Sequence, residues 1–337
     1  MDIRLIRARK IWSDGKHNAF TGIAEFAGRT FVTFRTGTTH ASGDGAITVI
    51  ASSDREIWDA VNITADPAMD LRDPKATVFD GKLMILFAGR DSNITPENRS
   101  HRISMVMASE DGETFAAPRA VTGLPDGHWL WHIVPHDGVL YGTVYHHNAD
   151  NSFDVALYRS SDGFAWEHVA DFPVGGGETY IDFDAQGTLW ALIRCDSAGY
   201  GPTPVLCSAK PPYTQFGGVR RLVTKLNGPM LKRLDNGCVI ICRRWDAPRR
   251  NLRSDVLWLG DRCDLQDVTR LPSGGDTSYA GWIDVAPGRA VVSYYSSHEH
   301  KMDEPIENDA VFKKDAGHAE HNTPADIFLA DFSYPET

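Results

Sequence analysis

Short hydrophobic segments recur along the chain at a period of about 50 residues, each led by a glycine turn and running into an arginine or tyrosine. They span Arg29 to Arg35, Lys82 to Arg90, Val139 to Tyr145, Thr188 to Arg194, Cys238 to Arg244 and Arg289 to Tyr295, preceded by Gly28, Gly81, Gly138, Gly187, Gly237 and Gly288. A further hydrophobic segment follows each: Ala46 to Ser52, Ser104 to Ser109, Asp154 to Ser160, Thr203 to Ser208, Ser254 to Gly260 and Asp326 to Phe332. These runs are rich in β-branched and aromatic residues and show no helical stripe, so they predict strands. Four strands per repeat and six repeats account for nearly all 337 residues. The expected fold is all-β, a six-bladed β-propeller forming a single domain over residues 1–337. Closure of the ring overrides the two domains that length alone suggests. The last segment is expected to complete a blade beside the N-terminal strand.

Three of the later segments end in one type of turn. It reads Ser52-Ser53-Asp54-Arg55-Glu56-Ile57-Trp58, Ser109-Glu110-Asp111-Gly112-Glu113-Thr114-Phe115 and Ser160-Ser161-Asp162-Gly163-Phe164-Ala165-Trp166. The pattern resembles the Asp-box, or BNR repeat, of sialidases and other propeller glycosidases. Ser208-Ala209-Lys210-Pro211-Pro212-Tyr213 resembles a decayed copy. In such a turn the Asp and Ser side chains bind backbone amides while the aromatic packs between blades, so Asp54, Asp111 and Asp162 are expected to be structural. Their value is geometric: in an antiparallel blade they mark one rim, and the starts of first strands with the ends of second strands share the other.

Residues assigned to that other rim include His17, Arg35, Arg72, Asp73, Arg90, Trp131, His132, Glu178, Arg194, Arg243, Asp276, Tyr279 and Tyr295. Guanidinium binds carboxylate through paired hydrogen bonds, so the arginines favour an anionic, carboxylated sugar. Trp131 and the tyrosines would offer faces to sugar rings. Arg72-Asp73-Pro74-Lys75 also reads as a salt-bridged strand entry.

Composition limits the partners. A net charge of -11 excludes phosphate-backbone binding as the main role, because nucleic-acid surfaces need basic patches. No apolar run reaches membrane-spanning length. The N-terminus MDIRLIRARKIW lacks a signal-peptide core, which leads to the expectation of a cytoplasmic protein. Five cysteines without metal spacing suit a reducing compartment, and neither a cofactor nor a metal is expected.

The sialidase resemblance extends to individual positions. That family places an Asp acid/base on a loop of the first blade, where His40-Ala41-Ser42-Gly43-Asp44-Gly45 supplies Asp44. It pairs a Glu from the fourth blade with a nucleophilic Tyr from the sixth, and Glu178 and Tyr279 stand correspondingly. The resemblance thus implies Asp44, Glu178 and Tyr279 as catalytic residues of a retaining glycoside hydrolase. The family opens with Phe-Arg-Ile-Pro, whereas this chain has His17-Asn18-Ala19-Phe20-Thr21, which leaves the identity of the sugar acid open. That stretch, Leu71-Arg72-Asp73-Pro74-Lys75 and Ser293-Tyr294-Tyr295-Ser296-Ser297-His298-Glu299 resemble an atypical bacterial branch of sialidase-like proteins.

Two other functions fit the same rim. A uronate lyase needs a neutralised carboxylate, a base and an acid, for which Arg, Tyr and the histidines His17, His40, His132 and His298, with Glu299 nearby, are candidates. A propeller that only binds glycans is the third. Residues 301–324, rich in charge, read as an insertion in the last blade: a lid, a subunit contact or a solvated loop.

Overall fold

A computed structural model describes residues 2–92, 102–195, 203–249, 251–260, 264–300 and 323–335. Most of the expected 301–324 insertion lies outside the described residues.

The described chain begins with β1 (Arg4–Trp12). Blade one is β2 (His17–Phe26), β3 (Arg29–Gly37), β4 (Ala46–Ser52) and β5 (Asp59–Thr64). Blade two is β6 (Met69–Phe79), β7 (Lys82–Asp91), β8 (Ile103–Ser109) and β9 (Arg119–Ala120). Blade three is β10 (Trp129–His136), β11 (Val139–His147), β12 (Phe153–Ser160) and β13 (Glu167–Asp171). Blade four is β14 (Tyr180–Phe183), β15 (Leu189–Ile193), β16 (Val205–Ala209) and β17 (Gly217–Arg221). Blade five is β18 (Asn227–Leu234), β19 (Gly237–Asp246), β20 (Asn251–Gly260) and β21 (Leu265–Arg270). Blade six holds β22 (Thr277–Ala286), β23 (Arg289–Ser296) and β24 (Asp326–Ser333), and β1 completes it.

This is a six-bladed β-propeller of four-stranded antiparallel sheets. Ring closure runs as the sequence predicts: β1 pairs with β24 from Arg4 opposite Ser333 to Trp12 opposite Ile327. A second tie sits at the channel rim, where His17 bridges Ala325 and the Asn18 amide donates to the Ala325 carbonyl at 3.0 Å.

The burial pattern explains the sequence. Second strands have sheet neighbours on both sides and packed blades over both faces, so they read as unbroken apolar runs, such as Leu83 to Ala88 of β7. Outer strands face water, and every residue of β17 is exposed. The interfaces between blades are continuous hydrophobic clusters; one joins Phe31 and Val49 of blade one to Leu83, Ile85 and Met107 of blade two.

The Ser-x-Asp turns fasten neighbouring blades. The Asp111 carboxylate accepts from the amides of Glu113 and Thr114 at 2.8 Å, and Ser109 Oγ accepts from the Gly112 amide at 2.8 Å. Asp54 and Asp162 repeat the pattern. Gly112, at φ +77°, lies so close to Phe31 of the preceding blade that an added Cβ would stand 2.6 Å from its ring. Gly112→Ala is therefore expected to lower stability by about 1–3 kcal/mol, from a left-handed alanine and from overpacking, while leaving the distant rim intact. Urea unfolding of the variant measures this, and an unchanged midpoint would show that the turn does not fasten the blades.

Candidate functional site

Five of the six innermost strands share one irregularity, and β14 pairs without it. Register breaks occur between Ala19 and Gly22 of β2, Arg72 and Lys75 of β6, Leu130 and His132 of β10, Asn227 and Met230 of β18, and Ser278 and Gly281 of β22. Inside four of these bulges lies a residue of left-handed backbone: Phe20 (φ 64°), Asp73 (55°), Gly228 (49°) and Tyr279 (47°). Such a conformation is unfavourable for Phe, Asp and Tyr and costs on the order of 1–3 kcal/mol each, so packing must hold it in place. For Tyr279 part of that hold is visible: its carbonyl accepts from Thr21 Oγ1 at 2.9 Å, and Ser293 Oγ donates to Thr21 Oγ1 at 3.0 Å.

Phe20 forms the floor of the resulting site. Its ring is met edge-on by His40 (centroids 5.0 Å apart), Tyr279 (5.4 Å) and Tyr295 (5.7 Å), and the Arg72 guanidinium stands 5.0 Å from its centroid. Trp131, itself buried, meets the Tyr279 ring edge-on at 5.6 Å.

Three of the rim residues form one hydrogen-bonded unit. Tyr279 Oη donates to Glu178 Oε1 at 2.9 Å, while Arg194 donates to the other Glu178 oxygen and reaches Tyr279 Oη at 3.4 Å. Glu178 is positioned by its neighbours, since the Gly177 amide donates to the Arg194 carbonyl and Thr143 Oγ1 to the Thr179 carbonyl. Burial raises the Tyr279 phenol well above its ordinary value, and the Glu178 carboxylate pushes the same way while Arg194 and Arg243 oppose. The phenol is thus neutral and needs a base to act as a nucleophile; Glu178 is in contact with its proton.

On the far side of Phe20, Asp276 gathers a second unit. Its Oδ2 faces His17 Nε2 at 2.8 Å and His40 Nδ1 in a short contact, and its Oδ1 accepts from Tyr295 Oη at 3.0 Å with Arg243 3.7 Å away. The three donor atoms of His17, His40 and Asp276 lie within 4.8 Å of one another, the spacing of a metal set. Two features favour a hydrogen-bonded relay instead. His17 Nδ1 is buried with no hydrogen-bond partner among the described residues, where a metal-bound imidazole would carry an N–H needing an acceptor. Arg243 adds a positive charge beside the carboxylate.

Blade two supplies a third group around Asp70. This fully buried carboxylate accepts from Arg35 Nε at 2.8 Å, Arg90 at 2.6 Å and Arg72 at 3.4 Å, and Arg72 Nε also donates to Asp73 at 2.8 Å. Burial, reinforced by Arg72, lowers the Arg90 guanidinium to about 9. Arg35 is fully buried and donates to the carbonyls of Thr39 (2.8 Å) and Ser42 (2.7 Å), so it fastens the rim loop from Thr38 to Gly45.

Other expected residues go elsewhere. Asp44 turns back on its own loop, where hydrogen bonds from Ser42 and from the Thr38 amide and hydroxyl outweigh partial desolvation and hold its carboxyl at about 2. His298 lies against Ser296 and Phe328, and Glu299 pairs with Lys10 of β1 at 2.8 Å, on the outer side of blade six. Strand alternation also splits the two tyrosines: Tyr295 faces Phe20, whereas Tyr294 stacks on Phe328 inside the blade. His132 lines a cavity of about 340 Å³ in the opposite half of the channel, together with Lys75, Tyr180, Asp182 and Lys232. There it stacks on Tyr180 at 3.7 Å and faces the Ile181 carbonyl through Nε2 at 3.2 Å.

Two participants escaped the sequence reading: Asp70 stands out only as the residue two before Arg72, and Arg102, whose guanidinium lies 5.3 Å from the Trp129 ring, follows a polar stretch outside any repeat. Phe20 lies in a stretch the sequence singles out, but nothing there signals its left-handed bulge.

Comparison with known proteins places the fold. No family model matches the chain, and no curated protein sequence is significantly similar to it. Among solved structures, a protein of unknown function from Dyadobacter fermentans superposes with a TM-score of 0.78 at 16% identity, covering 99% of both chains. Trypanosoma rangeli sialidase gives 0.63 at 13% identity over 94% of this chain and 55% of its own, so this chain spans about half its length. A family 117 glycoside hydrolase from Zobellia galactanivorans gives 0.52 at 12% identity over 73% of this chain and 85% of its own. The structural neighbours thus include sialidases and other glycoside hydrolases.

The channel makes a prediction about pH. Burial, with Lys75 nearby and against the pull of the Ile181 carbonyl, lowers His132 from 6.5 to about 3. Between those values the unfolded chain binds a proton at this site that the folded chain does not, so the contribution is whole above 6.5 and falls as pH drops towards 3. Urea unfolding across pH 4 to 7 should show His132→Asn with a slope shallower than wild type by about 1.4 kcal/mol per unit at most. Equal slopes would mean that His132 is not held neutral.

Proposed function

We propose that the protein is a retaining glycoside hydrolase acting on a carboxylated sugar, with Tyr279 as nucleophile and Glu178 as its base. The carrying observation is the Tyr279 Oη to Glu178 Oε1 hydrogen bond of 2.9 Å, bridged by Arg194. A neutral phenol suits this substrate, because an anionic nucleophile would repel the sugar's carboxylate. As Oη attacks the anomeric carbon, its proton passes to Glu178, and Arg194 steadies the redistributed charge. Arg72, Arg194 and Arg243 surround the Phe20 floor and Tyr279, and they are the residues that would hold the carboxylate. Arg90 shares the buried Asp70 carboxylate with Arg72. Trp131 packs edge-on against the nucleophile's ring, 5.6 Å between centroids. The loop between β3 and β4 brings both Asp44 and His40 to this rim and supplies the proton for the departing oxygen.

The test is turnover of 4-methylumbelliferyl glycosides of a panel of sugar acids. Tyr279→Phe is expected to lose at least about 100-fold in kcat and Glu178→Gln about as much, with thermal unfolding close to wild type. Full activity in either variant contradicts the assignment. An unsaturated sugar acid among the products, recognised by a vinylic proton in the NMR spectrum, would instead identify β-elimination of a uronic acid.

A further inference from the structure

The loop from Thr38 to Gly45 presents two groups able to carry a proton, and the structure treats them differently. Asp44 receives hydrogen bonds from the Thr38 amide at 3.1 and 3.2 Å and from the Thr38 hydroxyl, which ties it to its own loop as a fixed carboxylate. His40 points the other way, across the blade boundary, onto Asp276 and over the ring of Phe20. That same ring packs against the nucleophile Tyr279. Asp276 is fully buried and held on its other oxygen by Tyr295, so it fixes the imidazole orientation and engages Nδ1. His17, fully buried, completes the support behind it.

We infer that His40, oriented by Asp276, is the acid/base of the reaction proposed above, and that Asp44 shapes the loop. This rests on the assignment of Tyr279 and Glu178. In the first half-reaction Tyr279 Oη bonds to the anomeric carbon, its proton goes to Glu178, the bond to the leaving oxygen breaks, and His40 Nε2–H gives that oxygen its proton. In the second, neutral His40 takes a proton from the attacking water, whose oxygen bonds to the anomeric carbon. The Tyr279 oxygen leaves and recovers its proton from Glu178, so the sum is hydrolysis by one water.

A leaving group that needs no protonation separates the roles. Two glycosides of the sugar acid cleaved by wild type would be compared, the 4-methylumbelliferyl glycoside and a disaccharide with an ordinary alcohol leaving group. His40→Gln, with His40→Asn as a second variant, is expected to lose about 100-fold or more in kcat on the disaccharide and less than about 10-fold on the aryl glycoside. Asp276→Asn, altering a positioning residue, should give the same split. Asp44→Asn should lower both substrates alike. Equal losses on both substrates in the His40 variants, or a split confined to Asp44→Asn, overturn the inference while leaving Tyr279 and Glu178 in place. Wild-type protein inert on every glycoside, or full activity in Tyr279→Phe, removes the underlying reading and the inference with it.

Discussion

In a radial sheet the innermost strand sends alternate side chains to the two neighbouring blades, and the axis of the ring is left to backbone. The site depends on breaking that rule. A bulge in an inner strand inserts an extra residue, and a left-handed backbone there turns the side chain to a new direction. Phe20, Asp73 and Tyr279 are the non-glycine residues placed this way in β2, β6 and β22. All three carry conformational strain that the ring must sustain, and for Tyr279 the buried hydroxyls of Thr21 and Ser293 supply part of the hold. Gly228 occupies the same place in β18, where an added Cβ would meet Ser278 Oγ at 2.0 Å, so blade five yields room to the Tyr279 segment.

Around the bulges, charge is organised by buried carboxylates. Asp70 anchors Arg35, Arg72 and Arg90, and Asp276 anchors His17, His40 and Tyr295. Removing either carboxylate would leave several buried donors unpaired, a larger penalty than the loss of one hydrogen bond. The same fixed partners keep the arginines and His40 from reorganising when substrate charge develops, which is where preorganised polar groups act most strongly. An acidic protein thereby presents guanidinium groups at one rim of its channel, while the turns that fasten the blades occupy the other.

The fold was legible because its signals are periodic. Glycine turns and apolar second strands recur in all six repeats and Ser-x-Asp turns in three of them, and ring closure through β24 and β1 followed from the final segment. The phase of the repeat also placed Arg35, Arg90, Arg243 and Tyr295 opposite the starts of inner strands, as their register confirms with Ala19, Asp70, Asn227 and Ser278. What stayed hidden was direction. Sequence shows that Arg35 ends a strand but not that Asp70, Thr39 and Ser42 consume its donors. His298 and Glu299 follow Tyr295 closely, yet the chain leaves the axis after β23 and carries them to the outer strands. The repeat put Glu178 and Tyr279 on the rim, but only the family resemblance paired them, since nothing in their local pattern marks a bulge or a partner 101 residues away.

The central claim is that Tyr279 forms a covalent bond to the sugar, and stereochemistry reads it directly. Double displacement preserves the anomeric configuration, because each of two attacks inverts it. Proton NMR of the first-formed product, recorded before mutarotation, should show the anomer of the substrate. The opposite anomer, or an unsaturated sugar in its place, would contradict the account.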